Sequence, residues 1–315
     1  MDLINDFILD YMHLVCLGVV RRLLYFLKGQ VRGTNVGKLS ASSRKTISDR
    51  LDSMNGLLSS EFARQPRSLQ YLDRWKATEF RTFLLYTGLV VLKNVVSSAA
   101  YKHFLSLSIA VRILCCSSRS FRQKYINFAE RLLRYFVGNA PEHYGHIFNV
   151  YNVHGLLHIA EDVRCHSLPL DAISAFPFEN YLGKLKRLAR GRKSPLVQIV
   201  RRIGELEVLD KVRAVTSHKL CAQSKNSHFL TDNGIVYIRH LKVDGRLVCD
   251  FYEKTVTKNY FTEFLESKKL DIHFVSDETP SSIILLQRKD LKTKCICLPC
   301  KRGKVIFPLL HESKQ

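Results

Sequence analysis

Apolar residues recur with helical spacing over most of the chain and give way to strand-like alternation near its end. Phe7, Tyr11, Leu14, Cys16, Leu17, Val20, Leu23, Leu24 and Leu27 trace one helix, which Gly29 stops. Residues 29–42 read as a loop, and 43–57 as a short helix ending near Gly56. Apolar segments at 75–96, 98–116 and 121–137 predict longer helices, followed by helices over 152–165, 178–189 and 196–209. After about Lys225 the pattern changes. Asn233-Gly234 and Asp244-Gly245 are hairpin signals around a strand over 235–243, and 247–252 alternates as a strand should. Residues 272–275, 283–286, 295–298 and 305–310 predict further short strands. The expected fold class is mainly α: a multi-helix domain over 1–222, then a small β-rich, barrel-like domain over 226–315.

With 315 residues, 46% of them hydrophobic, the chain can build a substantial packed core. Charge changes the picture more. Forty-nine Lys and Arg stand against 28 Asp and Glu, a formal net charge of +21. Such an excess implies a polyanionic partner, DNA or RNA before a membrane surface, or a strong solubilising charge. The apolar stretches 14–20 and 83–92 are too short to span a bilayer, and the start, Met-Asp-Leu-Ile-Asn-Asp, lacks the basic opening of a signal peptide. Nine cysteines at irregular positions, with Cys115 and Cys116 adjacent, do not read as a disulfide framework. An intracellular, reducing compartment and no membrane partner are expected.

The densest candidate chemistry lies in residues 176–195. Pro177 suits the first turn of a helix, and Glu179 then lies near the positive end of its dipole. Gly183, Lys186 and Arg190 fall near the face carrying Glu179, while Tyr181, Leu185 and Leu188 form an opposite stripe expected to face the core. Lys184, Lys186, Arg187, Arg190, Arg192 and Lys193 place six cations in ten residues, a candidate DNA-binding surface. A lone acid among cations suits a metal ion held against a phosphate backbone. The plainer alternative is a capped amphipathic helix with a solvated basic face.

Asp10, His13 and Cys16 recur at three-residue intervals in the first helix, and His154 and His158 lie one turn apart in a later one. Together they are a candidate zinc set, because two histidines at that spacing can close on one ion and another element can complete four ligands. Each half also arises by chance in packed helices. Cys295, Cys297 and Cys300 resemble half a zinc site, but 295 and 297 point to one face of a strand and no second half follows. Trp75, within Arg74-Trp75-Lys76-Ala77-Thr78-Glu79-Phe80-Arg81, reads most simply as an aromatic packing at a helix start, with phosphate contact as the alternative. No Gly-rich phosphate loop or nucleophile elbow is present.

Taken in order, Asp10-Tyr11-Met12-His13 with Gly18-Val19, the Arg74–Arg81 run, Asn152-Val-His-Gly-Leu-Leu-His, and Phe176-Pro-Phe-Glu-Asn-Tyr with its basic tail resemble transposases of the CACTA (En/Spm) group. The resemblance covers roughly residues 5–210. Those enzymes are similar to RNase H-like recombinases, in which three carboxylates hold two divalent ions. It implies that Glu179 matches the last catalytic acid and that Asp10 and His13 match the insertion motif. It also implies a structural zinc at the histidine pair, as in the V(D)J recombinase layout, with Asp10 either a ligand or a group orienting His13.

The chain departs from that pattern, since it begins about ten residues before the Asp-x2-His motif, where the family carries a strand-rich core with two further catalytic Asp residues. Asp2 and Asp6 lie too close to the motif to take their place. One carboxylate cannot space two ions, so Mg is expected only where a complete catalytic core is supplied. The reading is a nuclear, DNA-binding remnant or truncated product of a CACTA-like transposase, without strand cleavage alone. Expected partners are DNA and either a second copy or a full-length transposase. The alternatives are a subunit contributing Glu179 to a two-metal site, and a protein-interaction module.

Overall fold

Helix boundaries in this chain follow its capping residues. A computed structural model describes residues 7–191, 193–210 and 224–310. The first helix starts at a carboxylate: the Asp10 side chain accepts from the backbone N–H of His13 at 2.9 Å, and Phe7–Leu9 stay outside the helix. It opens as wide π-type turns (Met12–Val20), continues as α1 (Arg21–Lys28), and ends at Gly29, whose φ of +76° is the left-handed cap position. Ser40 caps α2 (Ala41–Ser53).

The apolar segment expected as one helix from 75 to 96 is broken. Trp75 is extended and buried against Phe80 and Phe83, so the packing reading of that residue describes it. After it come α3 (Ala77–Thr82), a π-type turn (Phe83–Thr87) and α4 (Gly88–Val91). The helices α5 (Ser98–Cys115) and α6 (Arg119–Tyr144) then pair, with α6 running past its expected end to a Pro141 accommodated within its last turn. Residues 152–165 divide into α7 (Tyr151–Gly155) and α8 (Ile159–His166). The chain continues into α9 (Phe176–Leu188) and α10 (Pro195–Asp210). No helix among the described residues is long and apolar enough to cross a membrane.

Eight strands follow: β1 (His228–Leu230), β2 (Gly234–Leu241), β3 (Leu247–Glu253), β4 (Lys258–Asn259), β5 (His273–Ser276), β6 (Ser282–Leu286), β7 (Lys294–Cys300) and β8 (Gly303–Pro308). They form one antiparallel sheet in the order β4-β5-β8-β7-β1-β2-β3-β6. The sheet curls but does not close, so the expected barrel is a half-barrel with two edges. Its two glycine turn signals act differently. Gly245 supplies a φ of +81°, whereas Gly234 lies within β2, where a Cβ would stand 2.3 Å from the Tyr252 carbonyl.

The change of composition near 225 is a change of element type and not a break in the core. Tyr86 packs edge-on against Phe307, Arg112 donates to the carbonyls of Leu85 and Pro308, and Lys294 pairs with Glu61 at 2.6 Å. Ile296, Leu298, Val305 and Phe307 share one apolar cluster with the helices. The sheet's other face carries a smaller cluster that holds Cys295 and Cys297, while Cys300 packs against the main core. All eight described cysteines are free.

Two buried histidines make this packing acid-sensitive. Burial pushes His103 down to about 4, against the raising effect of its hydrogen bond to the Phe136 carbonyl. Burial and the nearby Lys268 and Lys254 push His273 down to about 4 as well. The unfolded chain therefore binds more protons than the folded one between about pH 4 and 6.5, so stability is full above that window and falls as pH drops through it. Each group is expected to contribute a loss of roughly 3 kcal/mol by pH 4. A melting-temperature series from pH 7.5 to 4 checks this, and His273→Gln should remove about half of the dependence.

Candidate nucleic-acid interface

One carboxylate locates the helix that carries Glu179. Besides capping the first helix, Asp10 accepts at Oδ1 from the backbone N–H of Ala175 at 2.5 Å, and Ala175 is the residue before α9. Three more contacts fix the approach to that helix. Arg81 holds Asp171 through a two-point ion pair, the Tyr11 ring meets Phe176 edge-on at 6.0 Å, and the Leu170 N–H donates to the Leu114 carbonyl. Burial works against the Arg81 charge, but the Asp171 carboxylate and other neighbouring groups more than restore it, so its pKa stands above the ordinary arginine range. The Tyr11 hydroxyl is buried among Cys16, Cys115 and this pair, and desolvation raises its pKa well above the usual value. Glu79, from the same run as Arg81, is held by Arg67 at 2.6 Å and 2.7 Å. The motif charges at Glu79 and Arg81 thus serve packing.

Beyond its first turn α9 leaves the body. The stripe expected to face the core does not do so: Tyr181 is 53% exposed, Leu185 and Leu188 are only half-buried, and α9 has no buried residue. Phe178 and Leu182 on the same helix are 71% and 57% exposed. The helix α10 repeats this, with Leu196, Val197 and Val200 open to solvent. The amphipathic spacing was right, but the surface it faces is not provided by the described residues.

Lys184, Lys186 and Arg187 are exposed along α9. Arg190 and Lys193 follow in the connection to α10, beyond the end of the helix, and Arg192 lies outside the described residues. None of these five described cations forms an ion pair among the described residues. Gln198, which the sequence reading passed over, organises their loop. Its Oε1 accepts from the N–H groups of Arg190 and Gly191, both at 3.1 Å, and its Nε2 donates to the carbonyls of Gly191 and Lys193. The signal available was an amide four residues after Ser194, in the first turn of a helix. The Glu179 side chain is exposed at the base of this arm.

The five candidate metal residues do not converge. No group of three or more His, Cys, Asp and Glu placed to hold a metal ion occurs among the described residues. Cys16 is fully buried in the core, and desolvation pushes its thiol up to about 12. Asp10 has both oxygens engaged, Oδ2 with the His13 ring at 2.5 Å and Oδ1 with Ala175. His154 and His158 are exposed with their Nε2 atoms 3.5 Å apart. That is close to the ~3.3 Å separating two tetrahedral ligands at ~2.0 Å from one zinc, so the pair fits half a site. Burial pushes the Asp162 carboxyl up, against the Leu9 amide and the nearby His166 and His158, and one of its oxygens accepts from the Leu9 N–H at 3.1 Å.

Comparison with known proteins gives one result for the end of the chain. The profile of a family described as a domain of unknown function, DUF8592, matches residues 200–309, from the middle of α10 through the sheet. No curated protein and no solved structure matches the chain.

The double role of Asp10 has a direct consequence. Asp10→Ala removes a helix cap and the Ala175 tie, and is expected to cost about 2 kcal/mol of stability. Hydrogen exchange should show the loss locally, with the Ala175 and Glu179 amides exchanging faster while α5 and α6 keep their protection. Unchanged exchange at Ala175 would show that the tie does not hold α9.

Proposed function

We propose that this chain is a nuclear DNA-binding protein of CACTA-transposase type, which grips the phosphate backbone through α9, the loop after it and the start of α10. The observation that carries this reading is the set of described cations Lys184, Lys186, Arg187, Arg190 and Lys193, free of ion pairs among the described residues, three along α9 and two in the loop that Gln198 holds. Paired cations would have to give up a carboxylate before meeting a phosphate; these do not. Contacts of this kind go to the sugar–phosphate backbone and position a protein without reading sequence.

Binding should weaken steeply with salt, because each neutralised phosphate releases counterions. Replacing Lys186, Arg187 and Arg190 together by Ala is expected to lower affinity for all duplex sequences alike and to reduce the slope of log K against log salt by roughly three. A fluorescence-anisotropy titration at several salt concentrations measures this. An unchanged slope removes the arm from the interface.

A second reading is favoured by the exposed apolar face of α9, with Phe178, Tyr181 and Leu182 uncovered beside Glu179. In it, α9 docks on a full-length transposase and adds Glu179 to carboxylates that the partner carries. The two-metal mechanism needs several carboxylates around the ions, and Glu179 alone is short of them. The expected outcome is no nicking of supercoiled DNA in Mg²⁺ or Mn²⁺ by this chain alone. Divalent-dependent nicking by the purified chain, abolished in Glu179→Gln, would contradict that and assign catalysis to this chain.

A further inference from the structure

A cleft of about 670 Å³ opens where the helical layer meets the sheet, far in sequence from the basic arm. One wall comes from α2 and the end of α4, with Arg50, Met54, Val90 and Lys93. The other comes from the β4 and β5 region and the β7–β8 turn, with Tyr260, Phe274, Pro299 and Lys301. Its volume is in the range of sites for small organic ligands.

The lining has one sign of charge. Arg50, Lys93 and Lys301 all face the cleft and no carboxylate lines it. None of the three forms an ion pair among the described residues. Two of them are fixed in place. Arg50 donates through Nη1 to the carbonyls of Val91 at 3.0 Å and Lys93 at 2.9 Å, closing the C-terminus of α4. Lys93 donates to the Tyr260 carbonyl, with its ammonium 4.0 Å from the centre of the Tyr260 ring. Burial lowers the Lys93 pKa, and the nearby Glu263 opposes that shift only partly. Half-buried cations with no ion-pair partner among the described residues gain from an incoming anion, and their fixed rotamers reduce the ordering that binding requires.

The rest of the lining mixes apolar side chains with Ser53, Cys300 and two amides. Phe274 lies beside Tyr260 with ring centroids 6.3 Å apart, and Pro299 continues that wall opposite Met54 and Val90. Asn94 and Asn259 add amides at the rim. A compact anion alone would use the cations and leave this slot empty; an apolar ring alone would leave the cations unanswered.

We propose that this cleft binds a nucleotide, with its phosphates between Arg50, Lys93 and Lys301 and its base against Phe274 and Pro299. The site is separate from the DNA-binding arm, and its test does not depend on that reading. Isothermal titration of the full chain with ADP is expected to give one site with a Kd on the order of 10 μM, with adenosine and inorganic phosphate each at least ~10-fold weaker. Lys301 is exposed at a turn, so Lys301→Glu should preserve the fold and weaken ADP by about 10-fold or more, whereas the arm variant Lys186→Gln/Arg190→Gln should bind ADP as the wild type does. No ADP binding at ~1 mM, equal affinity in Lys301→Glu, or a loss confined to the arm variant each overturns the proposal.

Discussion

A single carboxylate, Asp10, joins segments 165 residues apart and thereby decides where the arm of this protein starts. Helix N-termini leave unpaired N–H groups, and an acid there answers both that deficit and the local dipole. Asp10 does this for the first helix with one side of its carboxylate and for the approach to α9 with the other. The Arg81–Asp171 pair and the Tyr11–Phe176 contact hold the same approach from inside the core. Three stretches that look unrelated along the chain therefore have one structural task in common: they fix the point from which α9 departs.

What departs is unlike the rest of the molecule. The first helix, α5 and α6 bury their apolar residues in one cluster that extends into the sheet. The faces of α9 and α10 stay open although their spacing is as amphipathic as that of buried helices. The proposed function takes this apolar surface, next to a dense positive charge, as an interaction site. The proposed role as a DNA-binding arm uses the charge, and docking on a carboxylate-bearing partner uses the apolar face, so the two readings engage different sides of the same helices.

Much of the fold was legible because its signals are local. Gly29 in the left-handed position, Pro177 at a helix start and the Asp244-Gly245 turn each act on their immediate neighbours, whereas the Ser40 cap, which starts its helix two residues before the expected 43, was not read. The breaks at 83–87 and 156–158 were not legible, because the apolar spacing continues through both and tertiary packing decides them. The strands β1 and β4, at three and two residues, are too short to show alternation. For the site, the cations were visible in the sequence, and their lack of ion pairs among the described residues was not. Asp10 was read as a metal ligand or an orienting group because its spacing to His13 suits both; the amide that occupies its other oxygen lies on a distant segment. The stripe expected to face the core, Tyr181, Leu185 and Leu188, stays exposed or half-buried, because no periodicity can say whether a partner surface exists within the same chain.

The most direct test of the arm as the DNA-contacting element is hydrogen–deuterium exchange of the full chain with and without a duplex, read residue by residue. The account predicts slowed exchange across the end of α9, the Gln198-clamped loop and the first turn of α10, with the sheet and the α5–α6 pair unchanged. Protection confined to the sheet or to the α5–α6 surface, with the arm exchanging as fast as in the free protein, would contradict it.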